Sequence, residues 1–421
     1  MHLSLNHDAL DFVGPLPSLW RVRQHWDEQP LADLPAATVA ALDQLGLVLP
    51  PGARVAVTAG SRGISGLVPI TRAAIAWLRA HGAEPFVVPA MGSHGGATAE
   101  GQLQLLAGLG ITETSLDCPI YSSMEVVDLG LARDGTPVFM DRLAAEADAV
   151  LVINRVKAHT SFDGPIASGL AKMCAVGLGK REGAAIFHRD GAAGMRNRLV
   201  PMARVIVERG RVLAGLAILE GAREQVVDLV ALPPAEIGGP GEAALLERSR
   251  SLMARLTFDR LDVLVVDQIG KEISGTGMDT NVIGRRPEPG EPPPASPIIK
   301  VIVALDLTET SRGNANGMGL ADLVTAQLVA KVDFHATYTN ALTAGVVGLP
   351  KAALPMTLPS TRAAILAAIR SCGQPDPTRV RLVRITNTLQ LEELLVSAAL
   401  LPEVAAQARL ELIGPALWEG L

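Results

Sequence analysis

The feature that most narrows what this chain can fold into is the run Ala149-Val-Leu-Val-Ile153, apolar throughout and followed at once by polar and glycine-rich sequence. A strand without polar alternate residues has no face to offer water, so it is buried on both sides, as strands of parallel sheets are. The pattern recurs at Arg54-Val-Ala-Val-Thr58 before Ala59-Gly-Ser-Arg-Gly-Ile-Ser65, and at Phe86-Val-Val-Pro89 before Met91-Gly-Ser-His-Gly-Gly-Ala-Thr98. Helices are predicted after these loops, over Val68–His81 and Ala99–Leu109, with Thr98 as the N-cap of the second. Repeated strand, glycine loop and helix predict an α/β fold with ligand loops along one sheet edge.

A chain of 421 residues exceeds one ordinary core. Two α/β domains with largely parallel sheets are expected, with the active site in the cleft between them. The first spans 1–257, rejoined by 403–421, and the second spans 258–402. The βα alternation restarts at the strand Leu261–Val266. It continues through a helix Ala32–Leu45 at the front of the chain, a strand Arg211–Ile218 and a helix Glu242–Leu256 in the first domain. The second domain should hold strands Lys300–Leu305 and Val380–Ile385, with helices Leu320–Lys331, Thr361–Ile369 and Leu391–Leu400. Asp267 to Pro297 reads as a long loop, a length usually reserved for function or disorder.

Composition removes several classes. The net charge is −6 and no basic stripe stands out, which argues against a nucleic-acid partner. No uncharged apolar run reaches 18 residues, so no membrane helix is expected. The first residues, MHLSLNHDALDF, lack the charged and apolar regions of a signal peptide. Cys118, Cys174 and Cys372 are odd in number and far apart, which fits neither a disulfide framework nor a thiolate zinc site. A cytoplasmic protein is the expectation.

Chemistry concentrates just past the strand ends. His94 sits among glycines that allow close backbone approach and feed a helix start, so it reads as proton-transfer group, part of an anion cradle, or a structural turn residue. His159, Lys172 and His188 follow Ala149–Ile153. A histidine can act as acid, base or metal ligand, and a lysine among apolar neighbours can lose its charge and act as a nucleophile. The structural alternative is a snorkelling Lys172 and a helix-capping His188. His159 to Lys172 is thirteen residues and Lys172 to His188 sixteen, so one helix face cannot carry all three. Gln268 and Lys271, past a strand terminus, suit a carboxylate. Arg62 suits a phosphate or a solvated loop. Asp279 and Asn281 read as ligands or as turn formers.

These motifs resemble the nickel-dependent lactate racemase family. They are Gly92-Ser-His-Gly-Gly-Ala-Thr98, Lys157-Ala-His159, Ser168-Gly-Leu-Ala-Lys172, His188 and Asp267-Gln-Ile-Gly-Lys271. The resemblance implies a 2-hydroxy-acid racemase or epimerase that works by hydride transfer coupled to proton transfer by two histidines, here His94 and His159. It implies a nickel pincer nucleotide, a pyridinium mononucleotide with two sulfur-bearing arms, attached at Lys172. Ser61, Arg62, Gly92 and Ser93 are then further cofactor-binding residues and His188 is the protein's nickel ligand. Gln268 and Lys271 hold the substrate carboxylate. Partners are the small 2-hydroxy acid and cofactor-synthesis proteins, with no nucleic acid and no membrane. The competing readings are a non-catalytic α/β protein that binds a nucleotide or organic anion, and a cofactor-independent isomerase or lyase using Lys172 as a Schiff base.

Overall fold

The computed structural model describes residues 14–288 and 290–419. The extreme N-terminal segment, with His2 and His7, lies outside them. The chain divides into a middle unit, Glu28–Met253, and a flanking unit built from the described residues on either side of it. Both are α/β, as the strand-and-helix rhythm predicts.

The chain enters through β1 (Leu19–Gln24), whose partners come last in sequence. The middle unit then begins with α1 (Leu34–Asp43), capped by Asp33, whose side chain accepts from the Ala36 amide at 2.9 Å. Next come β2 (Arg54–Ala59), α2 (Leu67–Ala80) and β3 (Glu84–Pro89). After the glycine loop stands α3 (Ala99–Gly108), capped by Thr98, which accepts from Gly101 at 3.0 Å. A hairpin of β4 (Val126–Leu131) and β5 (Pro137–Asp141) precedes β6 (Ala149–Arg155). A nearly continuous helical stretch follows: α4 (Leu170–Lys172), a π-helical segment Met173–Leu178, and α5 (Lys180–His188). Then come α6 (Gly191–Arg209), β7 (Val212–Glu220), β8 (Val226–Leu232) and α7 (Pro240–Leu252).

The middle sheet runs β3-β2-β6-β7-β8, parallel except for β8 against β7. Val55, Val57, Leu151 and Ile153 point to one face and pack with Leu42, Ile70, Trp77 and Leu78 of α1 and α2. The alternate residues Ala56, Val150 and Val152 are equally buried on the other face. This two-sided burial is what the unbroken apolar runs require. Strand order matters for function. β2 connects to β3 on one side and β6 to β7 on the other, so the loops after β2 and β6 flank a topological switch point, where open α/β sheets take ligands.

The described residues of the flanking unit form a sheet of eight strands in the order β12-β11-β10-β9-β13-β14-β1-β15. These are β9 (Arg260–Ile269), β10 (Ile298–Leu307), β11 (Leu323–Thr325), β12 (Met356–Leu358), β13 (Leu382–Ile385), β14 (Glu393–Ser397) and β15 (Leu410–Ala416). The strands from β12 to β13 are parallel, and the remaining pairs are antiparallel. Leu264 and Val266 face one core; Val263 and Val265 face the other, under α8 (Thr361–Ser371).

Four expectations are corrected here. Leu391–Leu400 is not a helix: β14 is held between β13 and β1, and two ladders override the helix preference of Leu, Glu and Ala. Leu320–Lys331 is not one helix either. It holds β11 and then a five-residue helix, Ala326–Ala330, which Thr325 caps by accepting from Leu328 at 3.0 Å. The segment 403–421 does not rejoin the middle unit, because β15 pairs with β1 in the flanking sheet. For the same reason the opening residues belong to the flanking unit and the boundary falls at 253/254 rather than 257/258. The long loop after β9 is partly ordered by a Gly270–Gly277 bridge and a short helix, Thr280–Ile283. Among the described residues no helix is long and apolar enough to cross a membrane.

Candidate active site

The loops after β2, β3 and β6 all leave the carboxyl edge of the middle sheet. Ser61 and Arg62 follow β2, Gly92, Ser93 and His94 follow β3, and Lys157 and His159 follow β6. Lys172 and His188 come from the helical stretch beneath them. Two close approaches seat that stretch. Gly92, with φ of +61°, donates its amide to Gly177 O at 3.2 Å. Gly177 leaves no room for a side chain, since a Cβ there would stand 2.7 Å from Ala90 O and from Met173 Sδ. The π-helical segment between Lys172 and His188 widens the helix and changes its phase. Such segments are frequent at functional sites. A straight helix would hold residues sixteen apart about 24 Å from each other; the left-handed break at Lys180, with φ of +52°, lets the stretch turn so that the Lys172 charge is felt at His188.

Electrostatics ties four of the residues together. Lys172 is pushed down to about 7, first by burial and then by the Arg62 guanidinium. It keeps some accessible surface. Arg62 is lowered by surrounding protein and by Arg155, while still exposed in part to solvent. His188 is pushed down to about 4 by burial, with the Lys172 and His94 charges adding. The imidazole is thus neutral near pH 7, and the amine, beside an arginine, is unprotonated in about half of the molecules there. His94 is fixed through Nδ1, 2.5 Å from Ser61 Oγ. His159 has its ring 4.5 Å from that of Phe162, and its Nδ1 accepts the Ser161 amide at 3.0 Å. Its neutral ring therefore carries the proton on Nε2.

The surrounding structure supplies supports that composition and motif did not disclose. Glu242 of α7 is buried, and its carboxylate accepts from Ala171 at 3.1 Å and from Gly238 at 2.7 Å. It caps the start of the helix carrying Lys172 from another element. Burial raises its proton affinity and those backbone amides oppose the rise. Asn154 Nδ2 donates to Gly169 O at 2.7 Å, tying the end of β6 to the same helix start. Glu220 accepts from the Ser65 amide at 2.9 Å and also pairs with Arg155, which joins the loops at the switch point. Lys157 lies 3.7 Å from Glu224. Lys180 is fully buried, with Asp141, Gln102 and Pro89 O around its ammonium. Apart from Lys157, which stands in the Lys157-Ala-His159 motif, no sequence signal marked these residues, since each acts through contacts distant along the chain.

In the flanking unit Gln268 is exposed near the end of β9, and Lys271 Nζ donates to Gly275 O at 2.7 Å across its own loop. Asp267 is engaged by Arg384 at 2.7 Å, and burial raises its proton affinity. Asp279 and Asn281 form a turn: Asp279 Oδ1 accepts the Asn281 amide at 2.9 Å. The ligand reading of that pair gives way to the turn reading. Among the described residues no group of three or more His, Cys, Asp or Glu could hold a metal by itself. A metal at His188 would need ligands from elsewhere.

Fold and site define an α/β protein whose middle unit gathers cations and imidazoles at the carboxyl ends of parallel strands. Residues 61–196 match the family described as the lactate racemase N-terminal domain. The matched residues contain Ser61, Arg62, His94, His159, Lys172 and His188. In fold the chain is similar to the lactate racemase apoprotein from Thermoanaerobacterium thermosaccharolyticum, at 11% identity over 88% of this chain and 94% of that one, with a TM-score of 0.51. A protein of known crystal structure from Thermotoga maritima is matched at 15% identity over 87% and 99%, with a TM-score of 0.47. No curated protein matches.

Proposed function

We propose that the protein is a racemase or epimerase of a 2-hydroxy acid that works with a covalently held nickel pincer nucleotide. The observation that supports this most is the buried pair Lys172 and His188 beside Arg62, both with lowered proton affinity. The residues fit such a group. A neutral amine is the form that attacks an acyl carbon, a neutral imidazole is the form that binds a metal, and an arginine suits a phosphate. Ser61, Gly92 and Ser93 are the remaining cofactor-binding residues of the proposal. When bound, the group supplies an acceptor for the hydrogen on C2.

The rest is work for this chain's side chains. Taking the hydroxyl proton as the C2 hydrogen leaves avoids an unstable alkoxide. His94 and His159 are the proposed acid–base pair, one taking the proton and the other returning it. Ser61 fixes the rotation of His94, and the Ser161 amide sets the tautomer of His159. Gln268 and Lys271 are the proposed carboxylate clamp, which retains the flat keto acid between the two half-reactions. A cytoplasmic location suits three cysteines that are all free and buried.

Protein co-produced with cofactor-synthesis proteins should show an intact-mass increment and bound nickel, and should racemise members of a panel of chiral 2-hydroxy acids. Lys172→Ala should lose the increment, and His188→Ala should lose nickel. His94→Ala and His159→Ala should each lower kcat by roughly 10²-fold or more. An increment that persists in Lys172→Ala defeats the proposal. Nucleotide binding without nickel, adduct or turnover would establish the non-catalytic reading instead.

A further inference from the structure

The ammonium of Lys180 lies where no solvent reaches, and each of its neighbours belongs to a different element. It donates to Pro89 O at 2.7 Å at the end of β3 and to Gln102 Oε1 at 3.0 Å in α3. It pairs with Asp141 Oδ2 at 2.8 Å at the end of β5, both side chains being fully buried. Gln102, also fully buried, then donates from Nε2 to Gly92 O at 2.9 Å and to His94 O at 3.3 Å. An ammonium has donors and no acceptor, so the amide oxygen of Gln102 must face Lys180. Its nitrogen must therefore face the two loop carbonyls, and the amide cannot turn over. Lys180 itself holds φ of +52°, a left-handed conformation that costs a side-chain-bearing residue energy glycine would not spend. A lysine here is explained by what its side chain holds.

We infer that Lys180 and Gln102 form a positioning device for His94: the buried ammonium orients the Gln102 amide, which pins the Gly92–His94 backbone against the start of α5, the helix that ends in His188. The inference rests on the proposed role of His94 as an acid–base group. It adds that the placement of this group is set by a charge which never meets substrate.

Gln102→Glu separates this role from mere packing. It keeps the size of the side chain and an acceptor for Lys180, but turns carboxylate oxygen toward Gly92 O and His94 O. A second variant, Lys180→Met with Asp141→Asn, removes both buried charges together and keeps an oxygen to cap Ala144, which Asp141 Oδ1 now serves at 3.0 Å. In both variants, amide hydrogen exchange on cofactor-free protein should quicken in residues 92–97 while β3 and β6 exchange as before. In the loaded enzyme, kcat should fall roughly 10- to 10²-fold with KM within about twofold, as a small displacement of a reacting group produces. Unchanged exchange in 92–97 overturns the device, and so does quickened exchange with unchanged kcat. Full activity in His94→Ala would instead overturn the acid–base assignment, and the exchange measurement distinguishes the two failures because it needs no turnover.

Discussion

At the scale of single residues, the most informative group is an amine kept from its proton. The unfolded chain holds Lys172 near 10.5 and the folded one near 7, so between these values the unfolded state binds more protons. Unfolding free energy therefore rises with pH across that window, and below about 7 the full penalty stands. Lys172→Met should stabilise cofactor-free protein by on the order of a few kcal/mol near pH 6–7, with the gain fading toward pH 10.5. Urea melts at the two pH values check this. Reductively methylated protein carrying a carbon label should show one lysine titrating near 7, and a midpoint near 10 for Lys172 would undo the account of its reactivity. His188 carries the same sign at lower pH. Its folded value near 4 against 6.5 makes stability fall as pH drops from 6.5 toward 4. The residue types at 94, 159, 172 and 188 were legible because histidine and lysine beside glycine loops are chemically conspicuous. Gln102, Lys180, Asp141 and Glu242 were not. Lys180 meets Gln102 from 78 positions away and Glu242 meets Ala171 from 71 away, and no local pattern encodes such a meeting.

At the scale of elements, the decisive join is the seating of the π-helical segment beneath the loop after β3. Gly177→Ala would set a methyl against Ala90 O, a backbone atom with little room to retreat. A loss of about 1–3 kcal/mol is expected, with faster exchange of the Gly92 amide, which Gly177 O now accepts. Denaturant titration and exchange on the same sample test both parts. The elements were read well wherever one signal dominated. The apolar strands and the Thr98 cap stood where their sequences placed them, since burial on two faces and a side-chain cap are local demands. Glu393–Ser397 misled, because its helix-forming residues yield to pairing with β13 and β1. The hairpin β4–β5 was missed, with Gly135 in its turn and only three of its strand residues buried.

At the scale of the whole molecule, the two units are interleaved in sequence rather than consecutive. A fragment of 28–253 retains its five-stranded sheet complete and should unfold cooperatively with the depressed Lys172 titration preserved. A fragment of 254–421 lacks β1, which leaves β14 and β15 with unpaired edges and invites aggregation. Adding residues 14–27 as a peptide should restore a monomeric, cooperatively melting species, as gel filtration and thermal melts would show. A soluble, fully cooperative 254–421 fragment would mean that β1 is dispensable to that sheet.

The position of β1 also bears on biosynthesis. Emerging early in synthesis, it finds neither neighbour until β14 and β15 have left the ribosome. At about 5–20 residues per second that delay is on the order of tens of seconds. Throughout it, a short amphipathic ribbon trails free while the middle of the nascent chain can already close around its own sheet, a natural foothold for a chaperone and the last stitch of maturation.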